Sequence, residues 1–279
     1  MANFDTGVTA PTNVLLAGIT GTLRYTPGQT LQYYFGNSTE SYFGYDPLGA
    51  LGLNGDRTGF GFQNEIRAAF DAVSLVGNIN FSQTTNVSAS DLGYFAAANL
   101  DDDPAEPGVV LGAHSYPGAG TVPSGPRVGD GIGLSVLNAG LIKSTETGGG
   151  GVALSVTLHE IGHGLGLGHP QDTGGGSTQQ LSGTVLDNEK YTVMSYNFAT
   201  TAATLGHAVS YMALDIAALQ HLYGVDNTAH TGATTYMLRD AGAAALDTDG
   251  SGGSVSIGRA YYGIWDASGT DNISYSGNS

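Results

Sequence analysis

The stretch His159 to Pro170 reads HEIGHGLGLGHP, and its spacing decides how the rest of the chain is read. His159 and His163 stand at i and i+4, so on an α-helix their imidazoles project from one face, one turn apart, close enough to share an ion. That is ligand spacing for zinc, which takes histidine nitrogens at about 2.0–2.1 Å and, in a catalytic site, keeps a position open beside three protein ligands. His169 can be the third ligand, provided the chain turns first, because a straight helix would carry it off that face. Gly164, Gly166 and Gly168 are residues able to take positive φ where the helix ends, and Pro170 prevents helix from resuming. Glu160 follows the first ligand and can reach a water at the metal without ligating the metal, which places it as a general base. A bare HExxH arises by chance in a few of every hundred chains of this size, very roughly, and the full HExxHxxGxxH in on the order of one in ten thousand. The longer pattern therefore carries the argument.

This string resembles the zinc signature of the metzincin metalloproteases. Downstream, Tyr191 to Tyr196 reads YTVMSY and resembles their Met-turn, with Met194 as the methionine beneath the zinc site. Pro170 directly after the third histidine, and Tyr196 two residues after the methionine, are similar to the serralysin branch. Two further stretches are similar to serralysins: MALDIAALQHLYG from Met212 to Gly224, and IWDASGTDNISYSG from Ile264 to Gly277. The likeness covers most of the chain, densely from about Gly150 onward.

The resemblance implies an α+β, metzincin-like zincin domain over residues 1–225. It would have a twisted, mostly parallel sheet with an antiparallel edge strand, two long helices and an active-site cleft. A short β-rich extension over residues 226–279 would be the start of a β-roll-like, calcium-binding region. Tyr196 would be the tyrosine that ligates zinc and swings away to support the transition state. HTGAT (His230 to Thr234) and DASGTD (Asp266 to Asp271) align with two serralysin segments that together hold calcium. Backbone carbonyls come from the first, around Gly232 and Thr234, and Asp266, Ser268 and Asp271 lie in the second. His230 stands where that family usually has Arg, and Ser268 where it usually has Gly.

Composition bounds the partners. The 279 residues include 45 glycines, no cysteine and only eight Lys and Arg against 24 Asp and Glu, for a formal charge of −16. Such a surface is a poor partner for nucleic acid and for anionic membrane, and suits bound calcium or simple solubility. Without cysteine there are neither disulfides nor thiolate ligands, so metal is the available staple. The first residues, MANFDTGVTAPTNVLLAG, carry no basic segment and only a short apolar run, unlike a signal peptide. No membrane span is visible. Serralysins leave the cell through a C-terminal signal after calcium-binding repeats, and this chain stops where those repeats would begin; the resemblance implies a secreted monomer acting on protein or peptide substrates.

In chain order, Thr22 to Phe35 alternates around Pro27 and Gly28 as two short strands or a hairpin. Tyr42 to Phe62 reads as loop, and Asn64 to Val76 as an amphipathic helix capped at Gly77. Ile79 to Phe81, Leu92 to Ala97 and Val109 to Tyr116 read as strands; His114, in the last, reads as structural. By resemblance that strand edges the active-site cleft and pairs with extended substrate. Asp101 to Glu106 reads as a solvated acidic turn and Pro117 to Gly133 as a Gly/Pro loop. Gly148 to Gly151 is a hinge into a buried zinc helix, which runs from near Val152 to near Leu165. Met212 to Tyr223 is a helix with His221 on its polar side; Asp215 could accept a hydrogen bond from the zinc-site framework, with an ordinary helix charge as the safer reading. Asp247 to Gly253 opens like an EF-hand loop but has Gly258 where the bidentate Glu belongs, which rejects that site.

Two functions of different class compete: a zinc endopeptidase, and a calcium-stabilised extracellular binding module with a structural or vestigial zinc site. The second would typically have lost Glu160, which is present.

Overall fold

The computed structural model describes residues 3–5, 7–36, 54–58, 62–101, 110–117, 133–142, 151–199, 206–239 and 253–277. In chain order its elements are β1 (Phe4–Asp5), α1 (Val14–Ala17), β2 (Arg24–Tyr25), β3 (Thr30–Phe35), β4 (Asn54–Thr58), α2 (Gln63–Val76), β5 (Asn80–Gln83), β6 (Leu92–Asp101), β7 (Gly112–His114), β8 (Gly133–Asn138), α3 (Val152–Gly164), α4 (Ala213–Tyr223), β9 (Thr234–Arg239), β10 (Gly253–Ile257) and β11 (Asn272–Ser276).

The main sheet runs β5-β3-β6-β8-β7, with β4 also pairing β6. The β3–β5, β3–β6 and β6–β8 pairs are parallel; β7 runs antiparallel at the edge beside β8, as β4 does beside β6. Every residue of β8, GLSVLN, is buried, as a strand covered on both faces requires. The mixed α and β architecture, with a mostly parallel sheet and few helices, is that expected from the sequence. β9, β10 and β11 form a second, three-stranded parallel sheet in the order β10-β9-β11.

Helix α2 presents Ile66, Ala69, Phe70, Val73 and Val76 to the core, and the Gly77 N–H donates to the Val73 carbonyl at its end. Phe70 stacks on Phe81 at 4.1 Å and meets Tyr33 at 4.7 Å and Tyr94 at 5.5 Å. Each such pair contributes about 0.5–1.5 kcal/mol beyond the area it buries. Helix α3 is buried from Ala153 to Gly164, consistent with its apolar residues lying nearly all round. Two phenols tie it to the segment of α4: the Tyr211 hydroxyl donates to the Leu158 carbonyl at 3.0 Å, and Tyr223 to Leu165 at 2.7 Å. The second bond satisfies a carbonyl at the C-terminus of α3 that no intrahelical N–H can reach. Arg24 does the same for α4, donating to Leu222 at 2.5 Å while pairing with Asp5 at 3.1 Å.

Some local expectations change. The two strands around Pro27 do not form a hairpin: β2 pairs β1, whereas β3 joins the main sheet. The turn between them spends its Gly28 N–H on the distant Asn78 carbonyl, so it does not close a local ladder. β4 lies inside the stretch expected to be loop, where antiparallel pairing to β6 supplies order that local alternation does not advertise. The acidic turn after Asp101, the Gly/Pro loop from 118 to 132, the hinge glycines 148–150 and the rejected EF-hand stretch at 247–252 lie outside the described residues. Among the described residues no helix is long and apolar enough to cross a membrane.

Candidate metal centre

The last two turns of α3 carry His159, Glu160 and His163, and the chain then reverses to bring in His169. Of the three glycines expected to make this turn, Gly166 has positive φ, +99°, and Gly164 and Gly168 do not. The Leu167 N–H returns to the Gly162 carbonyl at 2.8 Å, and the Leu167 carbonyl accepts from His163 Nδ1 at 2.9 Å. The turn thus orients the ligand that precedes it.

The three imidazoles are held alike. His159 Nδ1 lies 2.8 Å from the Val193 carbonyl, His163 Nδ1 2.9 Å from Leu167 and His169 Nδ1 2.9 Å from Asp172 Oδ2. Each of those partners only accepts, so Nδ1 carries the proton on each ring and Nε2 presents its lone pair. The three Nε2 atoms then meet at 2.9, 3.1 and 3.2 Å. Lone pairs at that separation repel unless a cation lies between them. Tetrahedral zinc with Zn–N near 2.0–2.1 Å sets nitrogens about 3.3 Å apart, close to what is seen. Burial, then the neighbouring His169, lowers the His159 pKa to about 3; burial, then the other two rings, holds His163 well below its ordinary value. Both are therefore neutral and ready to ligate.

Of two residues behind this cluster, Asp172 escapes the sequence reading and Asp215 takes the role weighed there as the alternative. Asp172 orients His169 with one oxygen and accepts the Gly174 N–H with the other at 2.6 Å. An acidic residue three positions after a ligand histidine is the only trace it leaves. Asp215 is not an ordinary helix charge: it is wholly buried and accepts from Thr192 Oγ1 at 2.5 Å, from the Val193 N–H at 2.8 Å and from the Met212 N–H at 2.9 Å. Since Val193 is also the acceptor for His159, Asp215 fixes the first ligand through one residue. Met194 is fully buried against α3, where a Cβ at Gly162 would come within 2.5 Å of its sulfur.

Glu160 is buried beside the ligands, and desolvation alone pushes its carboxyl up to about 8. A dication held by the adjacent histidines opposes that shift. The cleft it faces, about 310 Å³, is lined by Val110, Gly112, Val156, Val193, Tyr196 and Phe198 among others. The Tyr196 ring lies 4.6 Å from His169 and 5.5 Å from His159 and is 64% exposed. Desolvation, then Glu160 and Asp172, raises its pKa to about 12, so the hydroxyl keeps its proton. Behind the same wall Glu189 holds His207 at 3.0 Å and the Ala208 N–H at 2.8 Å. His114 is buried, bonded to Tyr94 and the Ser115 carbonyl, and lowered by burial to about 4, as a structural histidine should be. His221 lies exposed on α4 with Nε2 3.0 Å from the Thr9 carbonyl.

The two segments aligned with a calcium site also meet. The Thr234 N–H donates to Asp271 Oδ1 at 3.0 Å, the Ser268 hydroxyl reaches the Thr231 carbonyl at 3.4 Å, and Gly269 packs against the Gly232 carbonyl. Asp266 Oδ2 accepts from the Tyr236 hydroxyl at 2.8 Å, while Asp266 Oδ1 and Thr234 Oγ1 are buried with no hydrogen-bond partner among the described residues. His230 adopts φ +53°; Ser268 needs no such backbone.

Asp172→Asn should weaken zinc binding by about 10–100-fold in a chelator competition while leaving the fold intact, because the amide can no longer hold the His169 tautomer as a carboxylate does. Asp215→Ala should cost about 3–5 kcal/mol in denaturant unfolding, since two buried N–H groups and a hydroxyl lose their acceptor. A loss below about 1 kcal/mol would contradict that role.

No family model matches the chain. Among curated proteins it is similar to the metalloprotease AprA of Pseudomonas entomophila (strain L48), 30% identical over 153 residues, 51% of this chain and 30% of that protein. It is 28% identical over 236 residues to a serralysin of Photorhabdus sp. (strain Az29), covering 79% of this chain and 45% of the relative. A serralysin of Proteus mirabilis is 34% identical over 128 residues, 43% of this chain and 25% of that one. The chain thus spans less than half the length of these relatives. By motif and by similarity over long segments alike, it resembles the serralysin-type metzincin metalloproteases.

Proposed function

We propose that the protein is a secreted, zinc-dependent endopeptidase with a metzincin-like catalytic unit at residues 1–225 and a β-rich, calcium-binding extension at 226–279. The observation that carries the reading is the convergence of three Nε2 lone pairs beside a buried carboxylate at the mouth of a cleft. His159, His163 and His169 would hold a zinc ion, which would supply Lewis acidity to acidify the attacking water and polarise the scissile carbonyl. Glu160 takes the proton of the attacking water as the new C–O bond forms, and delivers it to the leaving amine as the C–N bond then breaks. Tyr196, protonated and exposed at the cleft, donates to the oxyanion as charge develops there. Strand β7 offers extended substrate a free edge, since among the described strands it pairs only β8. The substrate is protein or peptide and the working form a monomer; the acidic surface disfavours nucleic acid and anionic membrane.

Glu160→Gln should keep one zinc per chain and lower casein cleavage by about 10²–10⁴-fold, the contribution of general base catalysis. Zinc content and cleavage measured on the same preparation test this. Cleavage within tenfold of wild type removes Glu160 as the base, and a zinc-loaded wild type that leaves casein intact removes the reading.

The calcium proposal rests on the unpartnered Asp266 Oδ1 and Thr234 Oγ1, oxygens of the kind calcium takes at about 2.3–2.6 Å, with Gly232, Ser268 and Asp271 beside them. An ion that binds only the folded chain stabilises it by about 2.7 kcal/mol at a hundred times its dissociation constant. Millimolar calcium should therefore raise the melting temperature of the zinc-saturated wild type and leave that of Asp266→Ala unmoved. Superimposable wild-type curves with and without calcium exclude the site.

A further inference from the structure

A second tyrosine approaches the metal centre from the side away from the cleft. Tyr116 follows edge strand β7 and meets the His163 ring edge-on, with centroids 5.2 Å apart. It is absent from the residues that line the cleft, which opens on His159 and Tyr196. Its ring rests on the Gly174–Gly176 turn, which follows Asp172. At Gly175, with φ +66°, a Cβ would come within 2.4 Å of the Tyr116 ring, so the turn is shaped to receive it. Among the described residues the Tyr116 hydroxyl has no hydrogen-bond partner, although its ring is fixed on two sides.

A ring held on two sides, whose hydroxyl bonds to none of the described residues, stands at the end of the edge strand and fits a contact with the main chain of a bound peptide. We propose that Tyr116 is a substrate-positioning residue: its hydroxyl donates to a backbone carbonyl of the peptide segment lying on the His163 side of the scissile bond, opposite the segment that enters the cleft. This rests on the endopeptidase reading. The metal centre would then lie between two tyrosines with divided work, Tyr196 acting on the reacting carbonyl and Tyr116 on a remote one. Binding energy gathered at such a remote contact orients the reacting bond, so a substrate too short to reach it loses the benefit.

The test uses the zinc-loaded full chain and two peptide series, each shortened residue by residue on one side of the cleaved bond. For long peptides Tyr116→Phe should lower kcat/KM by about 5–20-fold. The deficit should vanish when one of the two sides is truncated and persist when the other is. Tyr196→Phe should lower kcat for every length. In the non-cleaving Glu160→Gln background, adding Tyr116→Phe should weaken binding of the long peptide, followed by fluorescence anisotropy, by a similar factor. Zinc affinity should be unchanged. A deficit independent of peptide length, a reduced zinc affinity, or no deficit at all overturns the proposal for Tyr116 while leaving the endopeptidase reading standing. A wild type that neither cleaves nor binds peptide removes both.

Discussion

Three imidazole lone pairs aimed at one point are held there against their own repulsion, and much of the surrounding structure exists to hold them. Each ring is oriented by its far nitrogen: the Val193 carbonyl for His159, a carbonyl of the turn after α3 for His163, a carboxylate for His169. None of these acceptors comes from the helix that carries the first two ligands. A cation added to such an arrangement removes a repulsion as well as forming bonds, so metal binding and folding are coupled. The constraint reaches outward. Val193 must be fixed for His159 to be fixed, and Asp215 fixes Val193 from the first turn of α4. Helix α4 is itself moored to α3 through Tyr211 and Tyr223 and to the N-terminal strands through Arg24.

What the sequence discloses follows from how local each cause is. The ligands and Glu160 are legible because helical spacing and metal preference act within a dozen residues. Helix α2 is legible because its apolar period is its packing face. Asp215 is not, because a carboxylate in the first turn of a helix looks the same whether it faces water or a buried turn. Only the partner, 22 residues earlier in the chain, distinguishes the two. Strand β4 and the separate destinations of β2 and β3 are set by pairing across the sheet, which local alternation around Pro27 or among scattered glycines cannot reveal. Asp172 sits between the two cases: its partner is three residues away, yet only the fold shows that His169 turns its Nδ1 towards it.

Two buried carboxylates near the cluster, Asp215 and Glu189, answer pH in opposite directions. Burial raises Asp215 to about 7 even though three donors favour its ionised form. With a folded pKa above the unfolded value near 4, its favourable contribution is present below about pH 4 and is lost as pH rises through about 7. At neutral pH its ionisation therefore costs stability, which the three hydrogen bonds it accepts offset, and what it supplies is the position of Val193. For Glu189, burial would also raise the carboxyl, but hydrogen bonds from His207, Ala208 and Ala199 win and hold it below its ordinary value. Its contribution is present above the usual carboxylate range and fades as pH falls. The difference lies in the donors: Glu189 has a histidine, two N–H groups and the Ser155 hydroxyl, whereas Asp215 has two N–H groups and a hydroxyl and no histidine. Asp215 thus fixes the residue behind His159 despite an unfavourable ionisation, while Glu189 gains stability from the charge it keeps.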